Sequence, residues 1–163
     1  MDYSEIEAIA FYDTLRPRTQ RIYIDGSVRN GLSGVAVVLA RQDTQIEIAE
    51  TIAYSTTCSI ITTEVTAILY TLQEKTRAPT LQYGQSIIYT DSQAVLLQLD
   101  KGSPGAIEVG VYTAILQTLW REPKRSNPTI LRWRPAHRGI LGNEKAEKLA
   151  KDMSNIGRIP PRN

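Results

Sequence analysis

The stretch Ser86-Ile87-Ile88-Tyr89-Thr90-Asp91 decides how this chain folds. Its first five residues form a short run rich in β-branched and aromatic side chains, which reads as a buried strand. Helical patterns flank it. Ile61, Val65, Ile68, Leu69 and Leu72 recur at helical spacing within 59–75, and a second helix fits Asp91 to Leu99. A strand reached through a helix pairs parallel to an earlier strand, because parallel neighbours need a crossover. Upstream, Arg21–Asp25, Val35–Ala40 and Gln45–Tyr54 read as three strands with short connections, an antiparallel meander. Downstream come a helix over Ala106–Trp120, a strand over Thr129–Arg134 and a helix over Asn143–Met153. The expectation is an α/β fold with a five-stranded mixed sheet, a three-strand antiparallel meander plus two parallel strands, and helices on both faces.

The 163 residues suit one domain, and 42% hydrophobic with 22% charged residues excludes a wholly disordered chain. We divide the chain into an N-terminal appendage (1–20), a folded domain (21–154) and a basic tail (155–163). The net charge of +2 hides an asymmetry. Residues 1–120 carry 8 basic and 13 acidic side chains, whereas 121–163 carry 11 and 4. Such a split marks either a polyanion-facing end or a solvated basic face. Cys58 is the only cysteine, which excludes an intrachain disulfide and a thiolate zinc cluster. The acidic start Met1-Asp2-Tyr3-Ser4-Glu5 is unlike a secretory leader. An intracellular location, nucleus or cytoplasm, is therefore expected.

Four acids and one histidine stand out. Glu64 has Ile60, Ile61, Ala67 and Ile68 as its helical neighbours, so its carboxylate needs a cation, a metal, a proton or an escape to water. Asp25 ends an alternating strand before Gly26, which fits a ligand or a hairpin turn. Asp91 ends the buried strand, where α/β proteins place ligands and where a helix N-cap also belongs. Glu147 lies in the last helix, where an acid also suits the helix dipole. His137 sits in Pro135-Ala136-His137-Arg138-Gly139-Ile140-Leu141-Gly142, a segment whose two glycines read as a mobile loop.

Together the pieces Tyr23-Ile24-Asp25-Gly26-Ser27, Thr63-Glu64-Val65-Thr66-Ala67, Tyr89-Thr90-Asp91-Ser92-Gln93-Ala94 and Trp133 through Ala150 resemble the ribonuclease H type 1 family, in the right order and over most of the chain. The last motif is closest in wording to ribonuclease H domains of fungal non-LTR retrotransposon polyproteins.

The resemblance implies a ribonuclease H-like fold and an endoribonuclease that hydrolyses the RNA strand of RNA–DNA hybrids with two Mg²⁺ ions, Mn²⁺ being a substitute. It implies that Asp25 bridges both metals, that Glu64 and Asp91 hold one, and that Glu147 holds the other. Glu147 departs from the family's Asp, and its extra methylene predicts reduced or Mn²⁺-favouring activity, since Mg²⁺ tolerates little distortion. His137 matches the family's proton-transferring loop histidine. Gln93, Ser27, Asn30, Ser59 and Arg138 are candidate substrate contacts. Ile60 replaces a polar family position, and Asn30 is one residue short in spacing. The family's basic helical protrusion is replaced by Lys101-Gly102-Ser103-Pro104-Gly105. Arg132, Arg134, Arg138, Lys145 and Lys148, or a larger reverse transcriptase polyprotein, are left to supply affinity. The isolated domain is expected to be monomeric and not membrane-bound. Two other functions stay open: a binding module with a compromised fourth ligand, and a DNA-cutting integrase-like enzyme. Gln93 and the His137 segment speak against the latter.

Overall fold

A computed structural model describes residues 19–40, 59–77, 85–121 and 129–156, together with the backbone of 46–54. Most of the appendage, most of the tail and Cys58 lie outside the described residues. The strands are β1 (Gln20–Arg29), β2 (Leu32–Ala40), β3 (Ile46–Tyr54), β4 (Ser86–Thr90) and β5 (Thr129–Trp133). The helices are α1 (Ile60–Arg77), α2 (Gln93–Asp100), α3 (Val109–Arg121) and α4 (Leu141–Ile156).

Backbone pairing runs in the order β3-β2-β1-β4-β5. The first three strands are antiparallel, and β4 and β5 add in parallel to the other edge of β1. Within this sheet β2-β1-β4-β5 form a four-stranded mixed unit whose described side chains line both cores. Strand β3 joins it through backbone bonds to β2.

Alternation along the strands splits the core into two layers. On one face Ile22, Ile24, Val35 and Ile88 pack with Val65, Ile68 and Leu72 of α1, Val95 of α2, and Tyr112 and Ile115 of α3. On the other, Tyr23, Ala36, Val38, Ile87 and Tyr89 pack with Ala146 and Ala150 of α4.

Three local expectations change. Strand β1 does not end at Asp25, which pairs with Ala36 in mid-ladder. The hairpin turn falls instead at Asn30-Gly31, with φ of 50° and 77°. Positive φ at both positions matches the twist of a tight hairpin. Helix α4 begins earlier than expected, at Leu141, so Gly142 belongs to the helix and not to a mobile loop. A Cβ on Gly142 would stand 2.3 Å from Tyr23 Cδ2, so glycine lets the first turn of α4 rest on the sheet. Arg134, expected among the residues that supply affinity, is turned inward. It is 3% exposed, with its guanidinium 4.7 Å from the centre of the Tyr89 ring.

Candidate metal centre

The β1–β4 ladder ends at the pair Tyr23–Tyr89. Asp25 and Asp91 each lie two residues beyond that pair, at the same level, where β1 continues and β4 gives way to α2. This is the carboxyl end of two parallel strands, where α/β sheets open a crevice. Glu64 arrives from α1 on the opposite layer. A Cβ on Gly26 would lie 2.9 Å from Glu64 N and 3.0 Å from Glu64 Cγ. Gly26 therefore serves close approach between β1 and α1, not a turn. Its missing side chain is what lets Glu64 stand beside Asp25.

The result is a triad. Ligand oxygens of Asp25, Glu64 and Asp91 all lie within 4.8 Å of one another. Burial, followed by the charges of Asp91, Glu64 and Glu147, pushes Asp25 up to about 7, against the pull of a hydrogen bond from the Gly26 N–H. Burial also raises Glu64 to about 7, while the hydroxyls of Ser92 and Thr90 favour its charged form. Asp91 is raised mainly by burial, then by Glu147, with its own backbone, His137 and Lys151 acting oppositely. Three carboxylates held this way are short of positive charge.

Glu64 is 9% exposed, and its Oε2 is buried without a hydrogen-bond partner. An orphaned acceptor in an all-carboxylate, thiolate-free group fits a hard divalent cation such as Mg²⁺ or Mn²⁺.

Asp91 is not the N-cap of α2, since Ser92 occupies that position. The Ser92 N–H donates to Thr90 Oγ1 at 3.1 Å. Asp91 is held from behind instead, by Trp133, whose indole N–H donates to the Asp91 carbonyl at 3.1 Å. Trp133 was not singled out from sequence. The available signal was a Trp beside a site, whose N–H needs a partner when covered.

Glu147 does not join the triad. It is the seventh residue of α4, beyond the first turn, so a helix-dipole role does not explain it. Its Oε1 contacts Lys151 Nζ one turn on, and its Oε2 lies 3.3 Å from His137 Nδ1. Lys151 was also missed from sequence, although the Glu–Lys spacing of four was visible. His137 is exposed and has a φ of 56°.

The candidate substrate contacts divide by position. Gln93 is exposed at the start of α2, and Arg138 is exposed beside His137. Asn30 occupies the β1–β2 turn, on the surface. Ser59 is the cap of α1, its Oγ accepting from the Thr62 N–H at 3.1 Å. Ser27 is turned to Ser154 of α4, with 3.1 Å between the hydroxyls.

A family model described as RNase H matches residues 17–155. A search of curated proteins gave no match. Among solved structures, the chain is similar to the protease–reverse transcriptase of prototype foamy virus, with a TM-score of 0.67 and 18% identity. That likeness covers 87% of this chain but only 22% of the viral one. The N-terminal RNase H domain of rv2228c from Mycobacterium tuberculosis gives a TM-score of 0.64 at 18% identity, over 85% of this chain and 95% of that one. RNase H1 from the archaeon Halobacterium salinarum also gives 0.64 at 18%, over 83% and 96%. These structures are viral, bacterial and archaeal, and at this identity they show the fold.

Proposed function

Because this chain belongs to the RNase H family, we propose that it hydrolyses the RNA strand of RNA–DNA hybrids by a two-metal-ion mechanism. The observation that carries this reading is the carboxylate triad with the orphaned Glu64 oxygen. In the proposal Asp25 faces both metal positions, Glu64 and Asp91 hold one, and Glu147 serves the other. Bound Mg²⁺ or Mn²⁺ supplies neutralisation of the phosphate and an activated water for in-line displacement. His137 turns Nδ1 toward Glu147, which leaves Nε2 to give a proton to the departing oxygen. Glu64 also faces the RNA 2′-hydroxyl, the group that separates RNA from DNA. Gln93 and Arg138 touch the hybrid, with Arg132, Lys145 and Lys148 as further phosphate partners. Arg134 is withdrawn from that set, since its guanidinium lies on Tyr89.

The finer assignments are part of the same proposal. The domain spans 21–154, acts as a monomer and belongs to a retrotransposon reverse transcriptase, in the nucleus or cytoplasm. The chain spans about a fifth of the foamy virus protein it resembles, which accords with a larger parent. No described helix is long and apolar enough to cross a membrane.

A second reading rests on Glu147. With both of its oxygens engaged by Lys151 and His137, the chain is a weak nuclease or a hybrid-binding module. One assay tests both readings. Labelled RNA–DNA hybrid, double-stranded RNA and duplex DNA are incubated with Mg²⁺, Mn²⁺ or EDTA, beside Asp91→Asn. Metal-dependent cleavage of the hybrid's RNA, lost in Asp91→Asn, is expected. Binding without cleavage under either metal supports the module. Glu147→Asp is expected to raise activity under Mg²⁺ relative to Mn²⁺, and no gain refutes that assignment.

A further inference from the structure

The departure at Glu147 has a local counterpart. An Asp at this position would carry its carboxylate one methylene nearer the helix. Glu reaches along α4, and a Lys four residues on is the favourable orientation for pairing on a helix. Lys151 stands there and meets Glu147 Oε1, while the His137 ring meets Oε2. Glu147 is 18% exposed and Lys151 59% exposed, so the pair sits at the rim of the site.

We infer that Lys151 is an internal counter-cation that holds Glu147 back from metal, so that the divalent ion sharing Glu147 enters only by displacing the ammonium. Lys151 is thus a positioning residue that separates the affinities of the two metal positions. The inference rests on the metal-site reading above, but not on hydrolysis. Exposed ion pairs are weak, which makes the latch displaceable rather than a permanent block. The contact of Lys151 is with Glu147 and not with the clustered Asp25, Glu64 and Asp91, so the first ion is expected to keep its affinity. The device accords with Glu at this position, whose longer side chain reaches along the helix to Lys151.

The test is a calorimetric titration of the full chain with Mn²⁺, with circular dichroism to verify folding. The proteins are the wild type, Lys151→Gln, Lys151→Arg, Glu147→Gln and the double variant Glu147→Gln/Lys151→Gln. The wild type is expected to bind one ion well and a second weakly. Lys151→Gln is expected to tighten the weaker event by about two- to fivefold, the range of an exposed ion pair, and to leave the stronger one alone. Lys151→Arg, which retains the charge, is expected to behave as wild type. In the Glu147→Gln background the Lys151 change is expected to do nothing. Unchanged affinities in Lys151→Gln overturn the inference, as does an equal gain in the Glu147→Gln background, which would mean a general field effect. A single binding event in every protein overturns it too. Loss of the hybrid-cleavage reading leaves these titrations standing, because they contain no substrate. If no ion binds at all, the metal-site reading and the inference fall together.

Discussion

Replacing Glu64 by Gln in the metal-free protein is expected to stabilise it. Gln has the same shape but no charge, and Glu64 is an acid whose ionised form the fold disfavours. The folded carboxyl titrates near 7, against a reference value of 4.5. At about 1.4 kcal/mol per tenfold change in proton affinity, that difference corresponds to roughly 3 kcal/mol. Asp25 and Asp91 share the same field, so a gain of about 1–3 kcal/mol is the reasonable range. The pH dependence follows from which state holds the proton. Between about 4.5 and about 7 the folded chain keeps a proton that the unfolded chain has lost. Wild-type stability is therefore highest below that window, falls as pH rises through it, and levels off above 7. Asp25, raised from 3.8 to about 7, acts in the same direction. Urea denaturation in EDTA at pH 4 and pH 8 measures the effect. The two proteins should nearly coincide at pH 4, and Glu64→Gln should have the higher midpoint at pH 8. With saturating Mg²⁺ the order should reverse, because ligand binding stabilises only the protein that keeps its carboxylate. A variant less stable than wild type at pH 8 in EDTA would refute the picture of a buried, under-neutralised triad.

Trp133→Phe retains a ring but removes the N–H that meets the Asp91 carbonyl. A stability loss of about 1 kcal/mol and weaker Mn²⁺ binding are expected by denaturation and titration, and wild-type values for both would show that Trp133 does not position Asp91. Gly142→Ala would place a methyl 2.3 Å from Tyr23 Cδ2, and Tyr23 stacks on Tyr89 with 5.1 Å between ring centres. With the ring so backed, a net cost of about 1–3 kcal/mol is expected, and an unchanged or raised Tm would disprove the close packing of α4 on β1.

Much of the architecture is written in local pattern. The apolar run at Ile87–Tyr89 between two helical periods specifies a parallel strand, and the burial of all three side chains agrees with it. Ile22 and Ile24 against Tyr23 announce a strand with two covered faces, and the two cores divide along that alternation. Glu64 was legible as an uncomfortable charge because helical spacing alone put Ile61 and Ile68 beside it. Local pattern failed where a residue's role depends on a distant neighbour. Asp25-Gly26 has the chemistry of a turn, yet the strand runs through it, because α1 packs where a Cβ would stand. Arg134 looks like a surface base on an alternating strand, yet it lies over Tyr89 from the adjacent strand.

The sequence by itself therefore determined the order of elements, the two-faced sheet and the identity of three acids. Periodicity and chemical cost are properties of neighbours along the chain. Only the tertiary structure decided that Asp25, Glu64 and Asp91 meet, through a shared parallel register and a missing Cβ. It alone also decided that Glu147 meets His137 instead of joining them, whereas the Lys151 contact follows from helical spacing. The reason is physical. The partner of a charge outside its own helix is set by which backbones are pressed together in space, and Asp25, Glu64, Asp91 and Glu147 stand on or beside separate elements of the chain.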